Sequence, residues 1–147
     1  MNQFEAVDIL LVEDNPQDVE LTLRAIKKHN LANNIHVAED GAQALDYLFG
    51  RGEYAGGVIR PTPRVILLDL KLPKVNGLEV LKIVKSEETT RKIPVIIVTS
   101  SQEDPDIKTA YELGANSYVV KPVGFEAFID TMKNLGFYWL LVNKQPL

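Results

Sequence analysis

Five short apolar runs punctuate the chain, and each is followed by a stretch whose apolar positions recur at helical spacing. The runs are Asp8 to Val12, Ile35 to Ala38, Val65 to Asp69, Pro94 to Thr99 and Ser117 to Lys121, short enough for strands and too short for helices. Between them, Pro16 to about Asn30 sets Val19, Leu23 and Ile26 on one stripe, with Pro16 suited to a first helical turn. Asp40 can cap a helix reaching about Phe49 with Ala44, Leu45 and Leu48 inward, and a third helix runs from Leu78 to about Ser86. Pro105 to Leu113, closed by Gly114, is the fourth. The last spans Phe125 to about Leu141, with Phe125, Phe128, Ile129, Met132 and Leu135 as its inward stripe. Gly50 to Arg64 holds four glycines and two prolines and reads as the longest loop.

Strict alternation of strand and helix, with almost wholly apolar central strands, predicts a parallel sheet covered by helices on both faces. The fold class is therefore α/β, a doubly wound five-stranded parallel sheet. Right-handed crossovers favour the flavodoxin-like strand order 2-1-3-4-5, whose switch point lies between the first and third strands.

Charged residues close three of these runs. Glu13 and Asp14 follow the first, Asp69 ends the third, and Lys121 ends the fifth. Ligand sites of open parallel sheets lie outside the carboxyl ends of the strands, so these side chains can share one crevice. Crowded carboxylates need a cation among them; a divalent metal on one side and an ammonium on the other would serve, with room for an anion between. Asp69 sits where a strand opens into a loop, as a carboxylate nucleophile would. Read in isolation it can equally begin a turn, Glu13 and Asp14 can be a solvated turn or helix cap, and Lys121 a solvated strand end. Thr99 closes the fourth strand and can offer a hydroxyl to the same crevice; as a β-branched residue it is also an ordinary strand former.

Length and composition add boundaries. The chain has 147 residues, the size of one compact domain, and no cysteine, which excludes disulfides and thiol chemistry and favours a cytoplasmic setting. No apolar run approaches the roughly 20 residues of a membrane span, and the N-terminus lacks the form of a signal peptide. The net charge of −4 comes without a basic, aromatic-rich cluster, which excludes a nucleic-acid partner on electrostatic grounds.

The segments Leu11-Val-Glu-Asp14, Val65-Ile-Leu-Leu-Asp-Leu-Lys-Leu-Pro73 with Gly77, Ile93-Pro-Val-Ile-Ile-Val-Thr-Ser100 and Tyr111-Glu-Leu-Gly-Ala-Asn-Ser-Tyr-Val-Val-Lys-Pro122 resemble the receiver domain of two-component response regulators. The resemblance covers about residues 7 to 137, within a single receiver domain spanning 1–147, and leaves 138–147 as a short aromatic extension. The loop with Gly52-Glu-Tyr54 and the Phe137-Tyr-Trp139 terminus look most like stand-alone receivers associated with bacterial phytochromes. No output domain is expected.

The resemblance implies phosphorylation of Asp69 by a sensor histidine kinase, without conventional enzyme activity. It assigns Mg²⁺, replaceable by Mn²⁺, to Asp14, Asp69 and the backbone carbonyl of Lys71, with Glu13 acting through water. Lys121 and Thr99 would stabilise the phosphoryl group, and Thr99 with Tyr118 would form the switch, the ring turning inward as Thr99 moves. The Lys121–Pro122 bond would be cis. Further partners are a phosphotransfer protein or downstream target. A homodimer is also expected, because Phe137, Tyr138 and Trp139 add more apolar surface than a short helix end can bury.

Two departures are visible. Lys71 places a large cation two residues beyond the acceptor, and Leu72 stands where many relatives have methionine, a volume-conserving exchange. Two other functions compete. A haloacid-dehalogenase-type phosphohydrolase would carry an acid/base aspartate at position 71, which is lysine. An unphosphorylated interaction module would keep the fold without needing the complete acidic pocket.

Overall fold

The computed structural model describes residues 9–28, 34–56, 61–121 and 125–136, the last group with only part of its side chains. Its elements run β1 (Ile9–Val12), α1 (Pro16–Lys28), β2 (Ile35–Ala38), α2 (Gly41–Phe49), β3 (Val65–Leu68), α3 (Gly77–Ser86), β4 (Val95–Thr99), α4 (Asp104–Glu112), β5 (Ser117–Val120) and α5 (Phe125–Gly136). The strands form one sheet in the order β2-β1-β3-β4-β5 with every pairing parallel. The flavodoxin-like arrangement and its switch point between β1 and β3 are as predicted.

Strand side chains alternate between faces, and over the three central strands β1, β3 and β4 both faces are buried. Leu10, Val12, Ile66, Leu68, Val95 and Ile97 pack on one side with residues of α2 and α3. Ile9, Leu11, Val65, Leu67, Ile96 and Val98 pack on the other with Ala25 and Ile26 of α1. Near-continuous apolar runs are thus what a strand buried on both faces requires. The register places Val12 beside Leu68, so β1 and β3 end level and deliver the residues that follow them to one edge.

Three local readings gain detail. Val19, Leu23 and Ile26 pack as one stripe against the core as predicted, Val19 and Leu23 half-buried, and Thr22 and Ala25 are buried with Ile26. Thr22 tolerates burial because its hydroxyl donates to the Asp18 carbonyl at 2.8 Å. In α2, Ala44 and Leu45 are buried and Leu48 packs half-buried against the core as predicted, while Tyr47 is buried as well, its hydroxyl donating to the Pro61 carbonyl at 2.6 Å. The long loop contains a 3₁₀ turn, Gly52–Tyr54, and the Tyr54 hydroxyl lies 2.7 Å from His36 Nε2 on β2. His36 in turn stacks on Tyr47 at 4.3 Å, so the loop is fastened to the sheet's β2 edge.

The expected Asp8 start of β1, the end of α1 near Asn30, the Lys121–Pro122 bond, the inward stripe of α5 and its continuation to Leu141 lie outside what is described. So do Phe137, Tyr138 and Trp139.

Candidate functional site

The carboxyl ends of β1, β3, β4 and β5 meet at one point. Glu13 leaves β1 with its backbone N–H bonded to the Ala38 carbonyl at 3.0 Å, and Asp69 leaves β3 bonded to the Val12 carbonyl at 3.1 Å. Both residues are buried, whereas Asp14 is exposed. The Asn15 side chain accepts from the N–H groups of Gln17 and Asp18, so Asn15, and not Asp14, caps α1. This frees the Asp14 carboxylate for the crevice.

Glycine at position 77 allows α3 to start tight against the acceptor strand. A Cβ there would sit 2.2 Å from the Asp69 carbonyl oxygen, and the Gly77 N–H donates to the Leu70 carbonyl at 2.8 Å. Asn76 caps this helix through Glu79 N–H at 3.0 Å. The loop between them carries Lys71, which is exposed and whose N–H points at Asp69 Oδ1 from 3.4 Å. Lys74 adopts φ 66°, a left-handed conformation that costs a lysine energy, and pairs with Asp40 at 3.5 Å. The loop borders a cleft of about 510 Å³ lined by Asp14, Lys71, Pro73, Asn76 and Asp106.

Lys121 arrives from β5 and places Nζ 2.5 Å from Glu13, 2.7 Å from Asp18 and 3.0 Å from Asp69. Asp18, in the first turn of α1, has no place in the strand-end pattern and was missed. An aspartate there reads as a favourable helix-dipole residue, and nothing local connects it to a lysine more than a hundred positions away.

The electrostatics follow from burial and these contacts. Burial pushes the Glu13 carboxyl up to about 7, with the negative charge of Asp69 adding to the shift and Lys121 opposing it. Burial alone would also raise Asp69, but hydrogen bonds from Glu13 and Lys121, the lysine charge and the Thr99 hydroxyl outweigh it and hold Asp69 below its ordinary value. For Lys121, burial opposes the charge; the bonds to Asp18 and Glu13 prevail and keep the ammonium protonated well above its usual range. Asp69 is thus an ionised carboxylate beside a permanent cation.

Thr99 is fully buried at the end of β4, and its Oγ1 lies 3.5 Å from the N–H of Ser101. Tyr118 is half-buried, packs against the core and donates its hydroxyl to the Ser101 carbonyl at 2.9 Å. Ser101 links further to Asp106 of α4 through its hydroxyl at 2.5 Å.

The donors that could hold a metal ion converge here. Glu13, Asp14 and Asp69 each offer a carboxylate oxygen, all within 4.8 Å of one another. Oxygen donors at this spacing, two buried and one facing solvent, match a hard divalent cation that keeps part of its water shell. Charge points the same way, since the Lys121 ammonium is already shared among three carboxylates.

The family model of the response regulator receiver domain matches residues 9–133. Probable methanogenesis regulatory protein FilR2 of Methanothrix harundinacea (strain 6Ac) is 44% identical over 138 residues, 94% of this chain and 86% of that protein. The structure of the bacteriophytochrome response regulator AtBRR is 53% identical, with a TM-score of 0.70 over 95% of this chain and 99% of that one. The Mn²⁺-bound form of Rcp1, a response regulator of Synechocystis, is 33% identical, with a TM-score of 0.88 over 96% of this chain and 99% of that one.

Proposed function

The chain belongs to the response regulator receiver domain family, and from that premise we propose that Asp69 accepts a phosphoryl group from the phosphohistidine of a sensor histidine kinase. One observation carries the reading: an ionised, buried strand-end carboxylate with a lysine ammonium 3.0 Å away and two further acids at metal-binding distance. In the transfer, an Asp69 carboxylate oxygen attacks phosphorus as the P–N bond breaks in line. The imidazole, protonated on its other nitrogen, departs neutral with the bonding pair.

Asp14, Asp69 and the Lys71 carbonyl would hold Mg²⁺, or Mn²⁺ in its place, with Glu13 reaching it through water. When bound, the ion supplies neutralisation of the phosphoryl oxygens. Lys121 takes up a phosphoryl oxygen with an N–H released from Asp69, and the Thr99 hydroxyl donates to another. Because Ser101 bonds both the Thr99 side chain and Tyr118, a shift of Thr99 is passed to the tyrosine and, through Asp106, to α4.

The output in this reading is a changed protein-contact surface that a target or phosphotransfer protein senses in the cytoplasm, with the protein as substrate and switch instead of a conventional enzyme. Residues 1–147 are read as one receiver domain. The likeness to AtBRR supports a phytochrome-type kinase as donor. Dimerisation through Phe137, Tyr138 and Trp139 belongs to the same proposal on the sequence pattern alone. Sedimentation tests that part: a Phe137→Ala/Trp139→Ala double variant should be monomeric where the parent is dimeric, and a monomeric parent with or without beryllofluoride contradicts it. Incubation with acetyl phosphate and Mg²⁺ tests the rest. A stable adduct supports a receiver, continuous phosphate release a phosphohydrolase, and no reaction an unphosphorylated interaction module.

A further inference from the structure

An ammonium has three N–H donors, and those of Lys121 meet three carboxylates. Two of these, Glu13 and Asp69, stand at strand ends. The third, Asp18, comes from a helix, and it is not needed there as a cap because Asn15 supplies the cap. The backbone of Asp18 is fixed by the Thr22 hydroxyl at 2.8 Å. Below the site, the cavity lined by Leu11, Leu67, Leu68 and Val98 together with Glu13, Thr22, Asp69 and Lys121 is only about 10 Å³, room for one water at most.

Nζ is 2.5 Å from Glu13, 2.7 Å from Asp18 and 3.0 Å from Asp69. All three lie within hydrogen-bond distance, so the ammonium is shared between two strand ends and one helix. Asp18 is the anchor among them that neither receives the phosphoryl group nor belongs to the acidic trio at metal-binding distance.

We propose that Asp18 is a positioning residue for phosphoryl transfer, anchoring the Lys121 ammonium from the α1 side so that it stays within reach of the incoming phosphoryl oxygens. This rests on the acceptor role of Asp69 given above. Without Asp18, one N–H of the ammonium is left to solvent on the α1 side, and the lysine loses the anchor that places it.

The test is phosphorylation of the full chain by acetyl phosphate with Mg²⁺, together with NMR of the metal-free protein. Asp18→Ala should lower the rate constant at saturating donor about tenfold, with a half-saturating concentration unchanged within about twofold, because the loss falls on the reacting state. Asp18→Asn should lose less, since its amide oxygen keeps one acceptor in place. In the NMR arm, the ¹⁵N resonance of the Lys121 ammonium, protected from exchange in the parent, should broaden into solvent exchange in Asp18→Ala. A helix-stabilising role alone would leave that resonance unmoved. An Asp18→Ala protein that reacts as fast as its parent, with the ammonium still protected, overturns the inference. Failure of the parent itself to be modified at Asp69 would instead overturn the acceptor reading, and the NMR arm would still decide whether Asp18 holds the lysine.

Discussion

The Lys121 ammonium lies 3.0 Å from the Asp69 carboxylate, joining the ends of β5 and β3 across the β4 strand between them. Both side chains are about nine-tenths buried, so neither charge can be left to water. Lys121→Met should destabilise the protein by about 3–5 kcal/mol in urea unfolding, because removing one member of a buried ion pair leaves its partner uncompensated. Phosphorylation should fall with it. A variant as stable as its parent would show that the acids do not depend on this cation.

The metal prediction is separable from the lysine. Mg²⁺ should raise the melting temperature by mass action, by the equivalent of about 2.7 kcal/mol at a hundredfold excess over Kd. Asp14→Ala should remove most of that gain, as Asp14 is one of three acids whose oxygens lie within 4.8 Å of one another. Equal Mg²⁺ stabilisation of both proteins would place the ion elsewhere.

Gly77→Ala probes the packing that sets the acceptor in place. The added Cβ would meet the Asp69 carbonyl oxygen at 2.2 Å, and backbone on both sides leaves little to yield. We expect a loss of about 1–3 kcal/mol and slower phosphorylation, read from thermal unfolding and acetyl phosphate kinetics. An unaltered rate would mean that the α3 start does not position Asp69.

His36 makes stability depend on pH away from the acidic site. Burial lowers its pKa below the ordinary 6.5, against the opposing pull of Glu53. The unfolded chain therefore binds the proton first on acidification. The stabilising contribution is present above pH 6.5 and declines as pH falls through 6.5 and then through the folded value. Glu13, with its raised pKa, works in the opposite direction between 4.5 and about 7, so the comparison must be with His36→Phe. The melting-temperature advantage of the parent over that variant should shrink from pH 7.5 to pH 5; a constant difference would remove histidine from the account.

Much of this was readable from the chain because the central strands are buried on both faces. Runs such as Val65 to Leu68 have no polar position to obscure them, and in a parallel sheet a charge just beyond such a run is delivered to one edge. Asp69, Glu13, Asp14 and Lys121 met for that reason. What was illegible depended on partners distant in sequence. Asp18 acquires its meaning from Lys121, just past the last strand, and the burial of Tyr47 is helped by the Pro61 carbonyl, which receives its hydroxyl. Thr22 could join the buried side of α1 because its hydroxyl bonds the carbonyl of its own helix and no longer needs water.

The acceptor itself is tested most directly by intact-mass and peptide mass spectrometry after reaction with acetyl phosphate and Mg²⁺. One phosphoryl group should appear on the peptide containing Asp69. It should vanish in Asp69→Asn, which keeps the side-chain shape, loses the nucleophilic oxygen, relieves repulsion with Glu13 and should melt no lower than its parent. Undiminished incorporation into a folded Asp69→Asn protein would contradict the account.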